Sequence, residues 1–276
     1  MATKLKYALA GSLSDEELKL LVGAYDVVGD IAIIIITEPL VAKEHLIGRA
    51  VLQINKKIKV VAKRVGVYGG EFRTIGLEII AGENRKETEV KEFGLRFKVN
   101  PEEVYFSIRS GSERRRVASL VTKGEKVLVL FSGIAPYPLV ISKYSEALNI
   151  TGIEKNPRAH AYAVENVKMN KRTDNITLVQ ADAQEWLSSC DCFFDRLIMV
   201  LPTRGEDFLG AALRVLKPGG MLHFYDMQHS DHCAQTVQKI ERICVAENRK
   251  LDSSMIARCG HCGPRTFRIC VDARIC

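Results

Sequence analysis

No stretch of this sequence is apolar for long enough to cross a bilayer. IAIIIIT at 31–37 is the most apolar run, and Gly29-Asp30 precedes it. It falls far short of the roughly 20 residues a spanning helix needs. The N-terminus has no secretory-signal pattern, so a cytoplasmic protein is expected. There is no GxGxxG, no internal repeat and no low-complexity segment. Only one tryptophan occurs, Trp186, expected as a packing residue. Zinc-finger pairing is also missing. The eight cysteines all lie in the last third, and Cys259-Gly-His-Cys262 has no second CxxC partner. Ordinary reduced thiols and no metal are therefore expected.

What is present is a globular composition: 276 residues, 47% hydrophobic and 26% charged, with a net charge of +7. That length suits one large domain or two smaller ones. The positive balance is compatible with an ordinary solvated surface or with an anionic partner such as nucleic acid.

The pattern changes near residue 110. Before it, LSDEELKLLVGAY at 13–25 predicts a helix, with Ser14 as cap and Asp15, Glu16 and Glu17 in the first turn. VGDIAIIIIT, KIKVVAKRVGVYGG and FGLRFKVN then read as β-rich runs. Residues 1–108 are expected to form a small α+β domain. Residues 109–276 alternate strand and helix. Strands are predicted at 126–131, 150–154, 176–182, 195–201 and 221–226, with two more near 254–258 and 266–273. Helices are predicted at 156–170, 207–216 and 232–248. Repeated βαβ units with buried strands imply a Rossmann-like, doubly wound parallel sheet.

Three features sit at consecutive strand ends. FSGIAP follows the first strand, where Gly133 lets backbone approach a ligand. Glu154 ends the second, where a carboxylate can accept both hydroxyls of a ribose. Asp182-Ala183 follows the third and is placed to read an adenine edge. An acidic strand end alone is usually a helix cap. Two in this order behind a glycine turn favour an adenosyl cofactor. The poor glycine fingerprint and the additional Asp182 count against NAD, and the pattern resembles class I S-adenosylmethionine (SAM) methyltransferases.

The resemblance narrows over most of the chain. YDVVGDIAII, GEFRTIGLEIIAGE, EVYFSIRSGSERRR, FSGIAPYPLVIS, IEKNPRAHAYAVENVKMN, DRLIMVLP, HFYD and PRTFRICVD together resemble the archaeal and eukaryotic tRNA (guanine-37-N1) methyltransferase family. A sister family, the wybutosine-pathway aminocarboxypropyl transferases, shares the two-domain core. Larger members carry a further tRNA-gripping domain that this chain is expected to lack. The resemblance implies SAM as cofactor and the tRNA anticodon stem-loop as partner, with a monomer favoured. It implies catalytic roles for Arg73 and Glu113. It also implies a cofactor site of Tyr105, Phe131, Gly133, Glu154, Lys155, Asp182, Ala183, Leu201 and Pro202. The family's fourth strand ends in Asn-Leu-Pro, whereas this one has Val200 before Leu201-Pro202.

The expected chemistry follows from guanine, whose N1 is a poor nucleophile until its proton leaves. The enzyme must orient two groups and accept one proton. Glu113, at a domain junction, is the expected base, and Arg73 would stabilise charge developing on O6. The competing reading of Glu113 is a surface charge paired with neighbouring arginines. Arg109, Arg114 and Arg116 are expected to meet RNA phosphates. Val200 cannot supply an amide, a loss of roughly 1–3 kcal/mol. Methyl transfer leads. Aminocarboxypropyl transfer, or a SAM-binding tRNA-binding protein with weakened catalysis, are the alternatives.

Overall fold

The computed structural model describes residues 2–171 and 173–276. Chain contacts divide them into two units, one ending at Phe106 and the other running Ser107–Cys276.

The first unit begins with α1 (Ala2–Leu9) and α2 (Asp15–Leu20). The Ser14 hydroxyl accepts from the Glu17 N–H at 3.3 Å, and the Glu17 carboxylate accepts from the Ser14 N–H at 2.8 Å. This reciprocal capping box starts α2 as expected. The helix ends sooner than the 13–25 reading, because Leu21 is already extended and β1 (Tyr25–Val28) begins close behind. The apolar run divides at Gly29-Asp30, so β1 and β2 (Ile31–Ile34) form an antiparallel pair. Helix α3 (Glu44–Ile54), which the sequence reading did not foresee, carries the chain across to β3 (Val60–Gly69). β3 runs parallel to β2, and β4 (Thr74–Gly82) returns antiparallel to β3. β5 (Thr88–Glu92) and β6 (Leu95–Val99) make a separate hairpin. Leu5, Leu9, Ile34, Ile47, Val51 and Ile80 close the core beneath the four-stranded sheet. The unit is therefore α+β.

The second unit opens with α4 (Gly111–Leu120) and then alternates: β7 (Lys126–Leu130), α5 (Pro136–Tyr144), β8 (Asn149–Glu154), α6 (Pro157–Met169), β9 (Ile176–Gln180), α7 (Ala183–Ser189) and β10 (Phe194–Met199). It continues through α8 (Glu206–Arg214), β11 (Leu216–His229), α9 (Ala234–Ala246), β12 (Leu251–Gly263) and β13 (Thr266–Ile275). The sheet order is β12-β13-β11-β10-β7-β8-β9. The five strands from β11 to β9 are mutually parallel, whereas β13 and β12 run antiparallel. The doubly wound sheet is thus mixed. Its central strands β7, β8 and β10 are buried on both faces, as parallel strands covered by helices should be, whereas the edge strands β9 and β12 are largely open. Leu128, Leu130, Leu197, Met199 and Phe224 pack with α8 and α9 residues such as Leu209, Leu213 and Ile240. Val127, Val129 and Ile198 alternate with them and are equally buried.

Strand order reverses at β7, which lies between β8 and β10. A ligand crevice forms at such a switch point, outside the strands' C-terminal ends. Among the described residues, no helix is long and apolar enough to cross a membrane.

Candidate functional site

The loop after β7 is backbone held out of the ordinary regions. Phe131, Gly133 and Ala135 have φ of +59°, +56° and +65°. Only glycine takes this conformation without cost, so the two non-glycine residues mark local strain at a strand end. The loop is anchored by Ser132 N–H donating to the Ile153 carbonyl at 2.9 Å. Ser132 is buried, and its hydroxyl oxygen has no partner among the described residues. Gly152 on β8 makes room for it. A Cβ at Gly152 would lie 3.1 Å from both the Ser132 hydroxyl and Leu178.

Glu154, at the end of β8, reaches back into this loop. One carboxylate oxygen accepts from the Gly133 N–H and the other from the Asn156 N–H, both at 2.7 Å. Burial pushes the Glu154 carboxyl above its ordinary range, partly offset by these backbone donors. Each oxygen retains a second acceptor position, enough for two ribose hydroxyls. Asn156 then caps α6, accepting from the Arg158 N–H at 2.9 Å, with Pro157 at the first helical position.

Asp182 caps α7 by accepting from the Gln184 N–H at 2.8 Å, and its other oxygen meets Lys155 at 3.1 Å. These partners hold its carboxyl below the usual range against a desolvation penalty. Ala183 is buried behind it. Leu201 and Pro202 follow β10, where the Val200 N–H still donates to the Leu130 carbonyl at 3.3 Å. Phe131 packs edge-on to Phe208 with centroids 4.9 Å apart. Parallel register therefore gathers Phe131, Gly133, Glu154, Lys155, Asp182, Ala183, Leu201 and Pro202 at one edge of the sheet. Buried carboxylate, strained glycine loop and open acceptor positions together suit an adenosyl group.

Glu113 lies in the first turn of α4 and is only 5% exposed, so it is no surface charge. Arg116 grips it through two bonds of 2.7 Å, one to each oxygen, and the Tyr225 hydroxyl donates at 2.6 Å. The arginine pairing weighed from the sequence thus exists, but inside the protein.

Two of the three arginines expected on RNA require correction. Arg114 is 2% exposed and donates to the Ser107 carbonyl at 3.2 Å. Arg116 divides its guanidinium between Glu113 and Asp272. Both are turned into the unit by partners that local sequence does not reveal. Arg109 is exposed.

In the first unit, Tyr105 is 44% exposed and Arg73 stacks over its ring, 5.4 Å from the centroid. Arg73 also has a φ of +52° at the turn between β3 and β4. Tyr68 meets Tyr105 edge-on at 6.0 Å.

Residues that the sequence reading left without a role complete the buried polar region. His223 Nδ1 lies 2.6 Å from Asp272, and Nε2 lies 2.6 Å from Arg196 Nη1. An arginine can only donate, so Nε2 accepts and the proton sits on Nδ1. Burial lowers the His223 proton affinity and keeps the ring neutral. Arg196 in turn clamps Glu125. Cys270 brings its sulfur to 3.3 Å from Asp272, so His223, Cys270 and Asp272 hold metal-ligand atom types together. Both imidazole nitrogens are already engaged by protein groups. Strand alternation was the available signal, because His223 and Tyr225 share one face of a strand whose other face is Leu222 and Phe224.

A separate cavity of about 730 Å³ opens at the opposite sheet edge, near Glu125, Asp195, Lys217 and Met255. It lies at the strands' N-terminal ends, where Lys217 pairs with Asp195 and Arg196 with Glu125. The strand-end carboxylates, rather than that cavity, define the candidate site.

Comparison with known proteins agrees with this geometry. The profile described as the TRM5/TYW2 methyltransferase domain matches residues 88–252, and that of the TYW2 N-terminal domain matches residues 5–85. The tRNA (guanine(37)-N(1))-methyltransferase Trm5b of Pyrococcus abyssi is 33% identical over 91% of this chain and 74% of its own. A tRNA(Phe) (4-demethylwyosine(37)-C(7)) aminocarboxypropyltransferase of Methanocaldococcus jannaschii is 28% identical over 91% of this chain and 97% of its own. The solved complex of aTrm5 with tRNALeu superposes with a TM-score of 0.83 at 28% identity, covering 99% of this chain and 78% of that one.

Proposed function

Because the chain belongs to the TRM5/TYW2 methyltransferase family, we propose that it transfers the methyl group of SAM to N1 of guanine at position 37 of tRNA. It is a SAM-dependent enzyme that modifies tRNA at that position, a description common to both branches of the family. The observation that carries the cofactor assignment is Glu154, a buried carboxylate tied to the Gly133 and Asn156 amides at a switch-point sheet edge. Anticodon-loop tRNA is the partner, and the cytoplasm is the proposed compartment.

The roles proposed for individual residues follow from their chemistry. Glu154 binds the ribose hydroxyls, and Asp182 with the backbone at Ala183 reads the adenine. Lys155, beside Asp182, borders the adenosyl group, and Phe131 with Leu201 and Pro202 walls it. Tyr105 keeps the cofactor role that the family resemblance implies. SAM supplies an electrophilic methyl carbon. Glu113 accepts the N1 proton as guanine attacks. Its Oε1 already accepts from Arg116 and Tyr225, while among the described residues Oε2 accepts only from Arg116 and keeps an acceptor position for that proton. Arg73 stabilises the negative charge shared onto guanine O6. Of the phosphate contacts, Arg109 is retained.

Two observations favour aminocarboxypropyl transfer as the second reading: Val200 at the β10 tip and the match of residues 5–85 to the TYW2 N-terminal domain. The two reactions use the same sheet edge and differ in which carbon of SAM faces the flipped base. Incubating the protein with SAM and unmodified tRNA, then with tRNA carrying the 4-demethylwyosine base, separates them by nucleoside mass. A gain of about 14 Da marks a methyl group, and about 101 Da marks aminocarboxypropyl. No gain on either tRNA, with SAM bound, would refute both.

A further inference from the structure

Glu113 lies in the middle of a buried hydrogen-bonded chain. On one side, the Tyr137 hydroxyl donates to Tyr225 at 2.7 Å, and Tyr225 donates to Glu113 at 2.6 Å. On the other, Arg116 is stretched between Glu113 and Asp272, with its Nη1 donating to Asp272 at 2.5 Å. Behind Asp272 stand neutral His223, then Arg196, then Glu125. Helix α4 and strands β10, β11 and β13 each contribute a member, so the chain is tied across the middle of the sheet.

Two features make this more than a satisfied core network. First, Arg116 has its fork filled by two carboxylates, so it cannot swing away from Glu113 without breaking its bonds to Asp272. Second, the two oxygens of Glu113 are engaged unequally: Oε1 accepts from both Arg116 and Tyr225, whereas among the described residues Oε2 accepts from Arg116 alone, which leaves that oxygen an acceptor position for a proton.

We propose that Tyr225 and Asp272, the latter through Arg116, are positioning residues for Glu113: they aim its Oε2 at the substrate proton. The proposal rests on the reading of Glu113 as the base. During the reaction the N1–H bond breaks, its electron pair stays on the purine, and the proton forms an O–H bond at Oε2. Arg116 stays bonded to both carboxylates, and Tyr225 continues to donate to Oε1. None of the positioning groups gains or loses a proton.

The test compares steady-state transfer of the SAM-derived group to tRNA by Tyr225→Phe, Asp272→Asn, Glu113→Gln and the two doubles containing Glu113→Gln. Tyr225→Phe and Asp272→Asn should each lower kcat by about 10- to 100-fold, the scale of a misplaced reacting group, with KM for tRNA and SAM affinity unchanged. In the Glu113→Gln background neither change should reduce the rate further, because residues acting as one unit are not additive. A structural role alone would lower the melting temperature and multiply the loss in the doubles. Wild-type kcat in both single variants, with Glu113→Gln impaired, overturns the positioning proposal and leaves the base reading standing. Full activity of Glu113→Gln removes the base reading and this proposal together. Should Asp272→Asn fail to fold, Tyr225→Phe decides alone, since it deletes a single hydroxyl.

Discussion

Replacing Glu154 tests the cofactor site most directly. The carboxylate holds Gly133 and Asn156 by two bonds of 2.7 Å, and its remaining acceptor positions are assigned to ribose hydroxyls. Glu154→Gln preserves the shape but turns one acceptor into an NH2 group, which then faces a backbone N–H. Glu154→Ala removes the acceptor altogether. Affinity reports only what differs between free and bound enzyme, so the backbone bonds largely cancel and the ribose contacts remain. Losing a charged acceptor for them costs about 1–3 kcal/mol. At 1.4 kcal/mol per decade, that is roughly a 5- to 150-fold rise in Kd. Titration calorimetry with SAM, on variants shown by thermal melting to be folded, reads this directly. The raised proton affinity of Glu154 adds a second reading, since the carboxyl must lose its proton to serve as a full acceptor. Wild-type SAM affinity should therefore fall as the pH is lowered through the raised Glu154 range, and the Glu154→Ala protein should lose that dependence. An unchanged Kd in both variants would refute the assignment of this sheet edge to the adenosyl ribose.

Gly152→Ala should destabilise the second unit by about 1–3 kcal/mol, the usual cost of overpacking, because its Cβ would press on Ser132 and Leu178 at 3.1 Å; a wild-type urea midpoint would show that the loop yields freely. Acid should weaken the buried chain. His223 has its proton affinity lowered in the fold, so its contribution is complete above the unfolded value of 6.5 and is lost as pH falls below it. Asp272 is held well below the ordinary 3.8, so its contribution is present above that value and is lost at still lower pH. Stability followed by denaturant midpoint should thus decline as the pH falls below 6.5, and a flat profile between pH 7 and 4 would contradict a neutral His223 in the fold. Arg109→Ala should weaken tRNA binding and reduce the slope of log K against log salt by about one, whereas an unchanged slope would place Arg109 away from phosphate.

Local rules were enough for the elements that carry the cofactor edge. Asn156-Pro157 announces α6, the apolar DRLIMVL run announces β10, and the strand-end acidic residues announce themselves by their order. The limits were equally physical. The helix expected over 13–25 stops early, because the chain turns extended at Leu21 although the apolar spacing continues after the capping box. The strand predicted from 221 begins earlier, since Pro218-Gly219-Gly220, for all its turn-forming residues, already lies within β11. The basic segment misled most. Arg114 and Arg116 look like a displayed cationic face, but Arg116 meets Asp272 across 156 residues of sequence. A partner at that separation is a property of the folded sheet, which no window along α4 contains. For the same reason nothing local marks Tyr225 and Asp272 as partners of Glu113 and Arg116.

The antiparallel return of β13 has a consequence for how the molecule is made. The sheet is not laid down from one side to the other: β8 and β9 add to one flank of β7, then β10, β11 and β13 add to the opposite flank. Emerging from a ribosome, the chain would expose the cofactor edge of β7, β8 and β9 long before Asp272 is synthesised. Until β13 docks along β11, Arg116 has only one of its two carboxylates and His223 lacks its acceptor. Long-range pairings of this kind form late. The nascent protein would then complete the edge of β7, β8 and β9 before it can fix Glu113 from both sides, and the buried chain would close as one of the last events of folding.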